Sequence, residues 1–161
     1  MSDFLDLAIG HDLIDHGTSD DYYTPPHIFE ALGLTFDMDV SAPPGGVPWI
    51  PARRSIDVIE DGLATPWVGL VWCNPPYSNP SPWIDKFIAH NHGVALIPTS
   101  TGAWMLNLWK VDANWCMLKP MKFVKSNYES AKGSLPSRCW LIAVGNISMT
   151  ALKTSGLGHV R

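Results

Sequence analysis

The sequence predicts a three-layer α/β domain built on a mostly parallel sheet. Short apolar runs alternate with amphipathic stretches at intervals too short for extra domains, and two of those runs stop abruptly at polar or proline-rich turns. With 46% hydrophobic content, 161 residues suffice for one buried core, so the whole chain reads as a single domain. Residues 1–18 read as an N-terminal arm and residues 146–161 as a weakly patterned tail.

Composition narrows the class further. No uninterrupted apolar stretch nears the roughly 18 residues of a membrane span, and Met1-Ser2-Asp3-Phe4 lacks the basic start of a secretory signal, so a cytoplasmic protein is expected. Cys73, Cys116 and Cys139 are odd in number and sit among apolar residues, which makes them buried free thiols. A net charge of −4 argues against coating nucleic acid by bulk attraction. Any such contact must come from a local basic patch.

Taken in order, Thr24-Pro25-Pro26 opens the first helix, with Thr24 as cap and Pro25 at the first helical position; the helix covers His27–Leu32 and Gly33 ends it. Leu34–Val40 alternates apolar and polar residues before Pro43-Pro44-Gly45-Gly46 and reads as a strand with Asp39 at its carboxyl end. That alternation puts Asp37 and Asp39 on one face. A short strand is expected near Ser55–Ile59. Val68–Cys73 is a buried strand; Ser81 caps the next helix with Pro82 at its first position, Ile84, Phe87 and Ile88 supply its apolar face, and Gly93 closes it. Gly93–Pro98 is a central strand, Ala103–Lys110 a helix, Asn114–Leu118 and Cys139–Val144 strands. Residues 126–134 form a polar loop.

The chemistry concentrates after Cys73, at Asn74-Pro75-Pro76-Tyr77. Two prolines have fixed φ and no N–H, so they cannot continue a ladder and instead present their carbonyls in a stiff turn. The Asn74 side-chain oxygen and the Pro75 carbonyl suit an exocyclic amino group, and the Tyr77 ring suits the planar group that carries it. The competing reading is a proline turn with a surface tyrosine.

This tetrapeptide resembles the catalytic motif of amino-methyltransferases that use S-adenosylmethionine. The resemblance widens along the chain: Thr24-Pro25, Phe36–Ala42, Asp61-Gly62-Leu63 with Trp67, Asn74–Tyr77 with Trp83, Ala95–Pro98 and Lys122-Phe123 stand in the order seen in phage-type DNA adenine-N6 methyltransferases. It covers roughly residues 20–145. It implies a Rossmann-like class I methyltransferase fold, S-adenosylmethionine as cofactor, and an adenine turned out of a DNA duplex as acceptor. Its catalytic residues fall on Asn74, Pro75, Pro76 and Tyr77, and its cofactor residues on Tyr22, Thr24, Pro25, Asp39 and Asp61.

Each assignment has a structural rival: Thr24 as a helix cap, Asp37 and Asp39 as solvated strand-end residues, Asp61 as part of an Asp-Gly turn. The usual glycine loop is represented only by Pro43-Pro44-Gly45-Gly46, and Glu60 stands where a ribose ligand is sought. Arg53, Arg54, Lys119, Lys122 and Lys125 are the candidates for DNA phosphates, against the plain alternative of a solvated cationic face. Sequence choice is left to residues 41–67 and 125–138, to a partner, or to a second copy of the chain. The six histidines share no spacing with cysteines or carboxylates that would build a metal site. The rivals in function are transfer to RNA, cytosine N4 or a protein glutamine, and a silent S-adenosylmethionine- or DNA-binding protein.

Overall fold

The computed structural model describes residues 22–125 and 139–161; the expected arm over 1–18 and polar loop over 126–134 lie outside these. In chain order the elements are β1 (Tyr22–Tyr23), α1 (Pro26–Leu32), β2 (Phe36–Asp39), β3 (Ala52–Ser55), β4 (Val71–Cys73) and α2 (Ser81–His90). Then come β5 (Gly93–Pro98), α3 (Ala103–Trp109), β6 (Asn114–Met117), β7 (Val124–Lys125), β8 (Cys139–Val144) and α4 (Asn146–Thr154). β1 and β7 form a small antiparallel ribbon. The other strands make one six-stranded sheet in the order β3-β2-β4-β5-β8-β6.

The sheet is mixed, with three parallel and two antiparallel pairings. β3, β2, β4 and β5 pair in parallel, whereas β8 runs antiparallel to both β5 and β6. Antiparallel neighbours need no crossover helix, and the described residues between β6 and β8 contain none.

Two apolar cores cover the two faces. α1 and α4 bring Ile28, Phe29, Leu32 and Leu152 against Phe36, Trp72, Leu96 and Leu141; α2 and α3 bring Ile84, Phe87, Trp104 and Leu108 against Val71, Ala95, Ile97 and Ile142. β5 is buried along its whole length, as a wholly apolar run sandwiched by helices must be. Phe29 meets Trp72 edge-on at 4.7 Å. Each such fully buried side chain is worth about 1.5–3 kcal/mol, so this contact helps fix the strand that delivers the Asn74 turn.

Several boundaries shift for identifiable reasons. Pro25, not Thr24, is the cap of α1, and Pro26 takes the first position; no side chain caps the helix. In Thr24-Pro25-Pro26 either proline can start a helix, and the later one does. α2 likewise caps on Pro80 and begins at Ser81, and it ends on Asn91 in the left-handed region rather than at Gly93, which opens β5. β2 and β4 are shorter than Leu34–Val40 and Val68–Cys73, and the edge strand is Ala52–Ser55 rather than Ser55–Ile59.

β2 also breaks its own alternation. The Leu70 carbonyl accepts from both Asp37 N (2.7 Å) and Met38 N (3.3 Å), so two residues oppose one and the strand slips by one position. Phe36 accordingly lies in one core and Met38 in the other. Asp37 and Asp39 therefore do not share a face. Asp37 accepts from Leu70 N at 2.8 Å and abuts Gly69, whose φ of +73° leaves no room for a Cβ beside the carboxylate.

Candidate active site

The parallel strands deliver their carboxyl ends to one edge of the sheet, where ligands bind in open α/β folds. A cavity of about 280 Å³ lies there, between the end of β2, the end of β4 and the segment after β1. Asn74, Pro75, Pro76 and Tyr77 form one wall; Tyr23, Thr24, Asp39 and Ser41 face it from the others. Pro43, Pro44, Val47 and Ile50 close it above, where Trp49 donates from Nε1 to the Thr24 carbonyl at 2.8 Å.

Asp39 is 2% exposed, and among the described residues its carboxylate accepts one hydrogen bond, a long one from Ser41 N at 3.3 Å. Burial pushes its carboxyl up to about 7, against a smaller downward pull from that bond. A carboxylate in this position is poorly served by the protein and accepts a cation readily. Thr24 makes the same point with a neutral group: released from the cap of α1, its buried hydroxyl faces the cavity and has no partner among the described residues.

Ser41 is a residue that sequence reasoning missed. Its hydroxyl donates to the Asn74 carbonyl at 2.8 Å and accepts from Asn74 N at 3.1 Å. The final ladder bond, Val40 N to the Trp72 carbonyl, lies one residue earlier, so the Ser41 side chain continues the β2–β4 ladder after the strands part. The same residue touches Asp39 through its N–H and holds the Asn74 backbone through its hydroxyl. A separation of 33 residues leaves no local signal for such a contact.

Among the described residues the Asn74 carboxamide has no hydrogen-bond partner, so its oxygen is available to a ligand. Tyr77 is 7% exposed, and its hydroxyl lies beside the Cys139 thiol. Burial raises Cys139 to about 11 and the neighbouring Tyr77 hydroxyl tempers the rise; Cys73, wholly buried beside Asp39, is raised further still. Both are protonated packing groups at neutral pH.

The remaining expected residues divide. Pro25 is buried directly behind Thr24, and Tyr22 stands in β1, but its side chain lies outside the described ones. Asp61 is exposed, has φ +58°, and accepts from Leu63 N, which makes it a turn former; it does not line the cavity. Lys86 holds that turn by donating to the carbonyls of Gly62, Leu63 and Thr65. Glu60 is committed to Arg54 at 2.6 Å, while Val58 from the same loop reaches the cavity. Arg53 lies 4.0 Å from Asp37 on the exposed edge strand, Lys119 and Lys122 are exposed, and Lys125 pairs with Tyr22 in the ribbon.

Among the described residues no group of three or more His, Cys, Asp or Glu side chains could hold a metal ion, and no helix is long and apolar enough to cross a membrane. No curated relative and no solved structure matches the chain. One family model does, over residues 14–137, a span that contains the whole cavity wall. By that match, which covers most of its length, the chain belongs to the DNA N-6-adenine-methyltransferase (Dam) family.

Proposed function

We propose that the chain transfers the methyl group of S-adenosylmethionine to the exocyclic N6 of an adenine turned out of DNA. The observation that carries this reading is that the Asn74–Tyr77 turn and two underserved polar groups, Asp39 and Thr24, line one cavity. Those groups fit the cofactor: a buried carboxylate suits its ammonium, a lone hydroxyl its polar atoms, and the surrounding apolar wall its adenosine. When bound, S-adenosylmethionine supplies an electrophilic methyl group on a sulfonium.

The chain's own residues do the rest. Asn74 Oδ1 and the Pro75 carbonyl accept the two N–H bonds of the target amine, which draws the nitrogen lone pair out of ring conjugation. Tyr77 holds the base by its ring. As the nitrogen bonds the methyl carbon and the carbon–sulfur bond breaks, positive charge develops on the nitrogen. The two fixed oxygen dipoles favour that state over the ground state. The excess proton is acidic once the bond has formed, so it leaves to solvent and no base is needed beforehand. Turning the base out costs a few kcal/mol, recovered by stacking and by contacts to the flanking phosphates. Lys119, Lys122, Lys125 and Arg53 are the side chains offered to those phosphates, while Arg54 is already neutralised by Glu60.

The test is a panel of acceptors with methyl-labelled S-adenosylmethionine: unmethylated duplex DNA, single-stranded DNA, RNA, and a glutamine-containing peptide. Label in the adenine of DNA, recovered as N6-methyldeoxyadenosine, supports the reading. Label in RNA, in cytosine or in the peptide alone, or cofactor binding without transfer, overturns it.

A further inference from the structure

A second concavity, about 390 Å³, opens on the other side of α1. Its rim carries His27, Lys119 and Lys122, and its floor is apolar, with Leu118, Met121 and Leu157. Its described lining residues include no carboxylate, although the chain has 15 acidic residues against 11 basic ones. Positive charge is therefore gathered here against the overall balance. An apolar floor with a cationic rim suits the backbone of a nucleic acid, whose sugars are weakly polar and whose phosphates are charged.

Two chain connections tie this cleft to the active-site cavity. Thr24 lines the cavity and His27 the cleft, three residues on, so their Cα atoms are at most about 11 Å apart. Val124, two residues beyond Lys122, pairs directly with Tyr23 of the cavity wall. A DNA strand carries one phosphate per roughly 3.4 Å of helix axis. A strand with its adenine in the cavity thus has phosphates within reach of the cleft.

We propose that this cleft holds a backbone phosphate of the strand that carries the target adenine, with His27 joining Lys119 and Lys122 on its rim. The proposal rests on DNA being the acceptor, as argued above. It adds a residue, His27, and a place: the strand passes over the start of α1, between the cavity and the turn at Gly156-Leu157.

Equilibrium binding of unmethylated duplex DNA between 50 and 200 mM salt tests it, using the full chain and the variants His27→Ala, Lys119→Ala and Lys122→Ala. All three positions are exposed, so the variants fold. Lys119→Ala and Lys122→Ala should each lower the slope of log affinity against log salt by about 1, and His27→Ala, which removes a hydrogen-bonding ring, should weaken binding with a smaller change in slope. S-adenosylmethionine affinity measured without DNA should stay unchanged. Lys110→Ala, an exposed lysine outside the cleft, should leave the slope alone. Slopes equal to wild type in all three cleft variants, with wild-type methylation of DNA intact, overturn the cleft alone. A wild-type chain that neither binds nor methylates DNA overturns the cleft together with the reading beneath it.

Discussion

The two halves of the sheet solve different problems. In the parallel half, β3, β2, β4 and β5 point their carboxyl ends at one edge, and polar groups gather there: Asp39, Ser41 and Asn74 line one cavity. In the reversed half, β8 runs back between β5 and β6, and its residues serve packing. The chain end then pairs with β6, Trp115 and Arg161 exchanging backbone hydrogen bonds, which covers an otherwise open edge. Parallel strands concentrate chemistry at one rim. The antiparallel closure supplies packing and reaches the turn through Cys139, beside Tyr77.

If that division is correct, substitutions in the two halves fail in different ways. Asn74→Ala should have the largest effect, about a 100- to 1,000-fold fall in the rate of transfer, as for other single acceptors or donors aimed at transition-state charge. Cofactor affinity and the unfolding midpoint should hardly move. Leu141→Ala, at a fully buried position of β8, should do the converse: about 2–5 kcal/mol of stability lost in urea titration, with normal activity per folded molecule. A parallel-half variant that only unfolds, or a β8 variant that only slows transfer, would break the comparison.

Asp39 sharpens it, because there function is held at a cost to stability. Its carboxyl is raised from 3.8 to about 7, so the folded state binds a proton that the unfolded state has released. Over that window stability therefore falls as pH rises, and below about 4 the penalty is absent. Asp39→Asn should flatten this slope and stabilise the ligand-free protein at pH 8 by on the order of 2 kcal/mol, while weakening S-adenosylmethionine binding at least tenfold. Chemical denaturation at pH 5 and pH 8 with calorimetric binding checks both signs. Ser41→Ala comes last, with about a tenfold fall in turnover from a loosened Asn74 backbone. Ser41→Thr, which keeps the hydroxyl, should recover most of it; a purely structural role would not show that rescue in turnover at unchanged stability.

The same contrast explains what the sequence discloses. β5 and β8 are read to the residue, Gly93–Pro98 and Cys139–Val144, because buried runs are apolar throughout and end at sharp changes of composition. The Asn74–Tyr77 turn is equally plain, since two prolines stop a strand whatever surrounds them. α4 is hidden because its buried face carries Ser148 as well as Leu152, while Ile147 is exposed, which inverts the usual pattern. Thr24 reads as a cap because a following proline makes it one in most contexts; the choice of Pro26 over Pro25 as first helical residue frees it for the cavity. The slip at Asp37 and the Ser41 hydroxyl are products of strand pairing between distant segments. No local periodicity announces them.

The central claim is that cofactor and acceptor share one cavity, with Asp39 at one end and Asn74 at the other. The most direct test is the affinity of a bisubstrate analogue, an adenosine joined through its N6 to a nitrogen-substituted S-adenosylmethionine, measured at pH 8 by calorimetry. Tight binding to the wild-type chain is expected, with at least a tenfold loss in Asp39→Asn and in Asn74→Ala alike. Binding that ignores Asn74, or that either single half of the analogue matches in affinity, would contradict it.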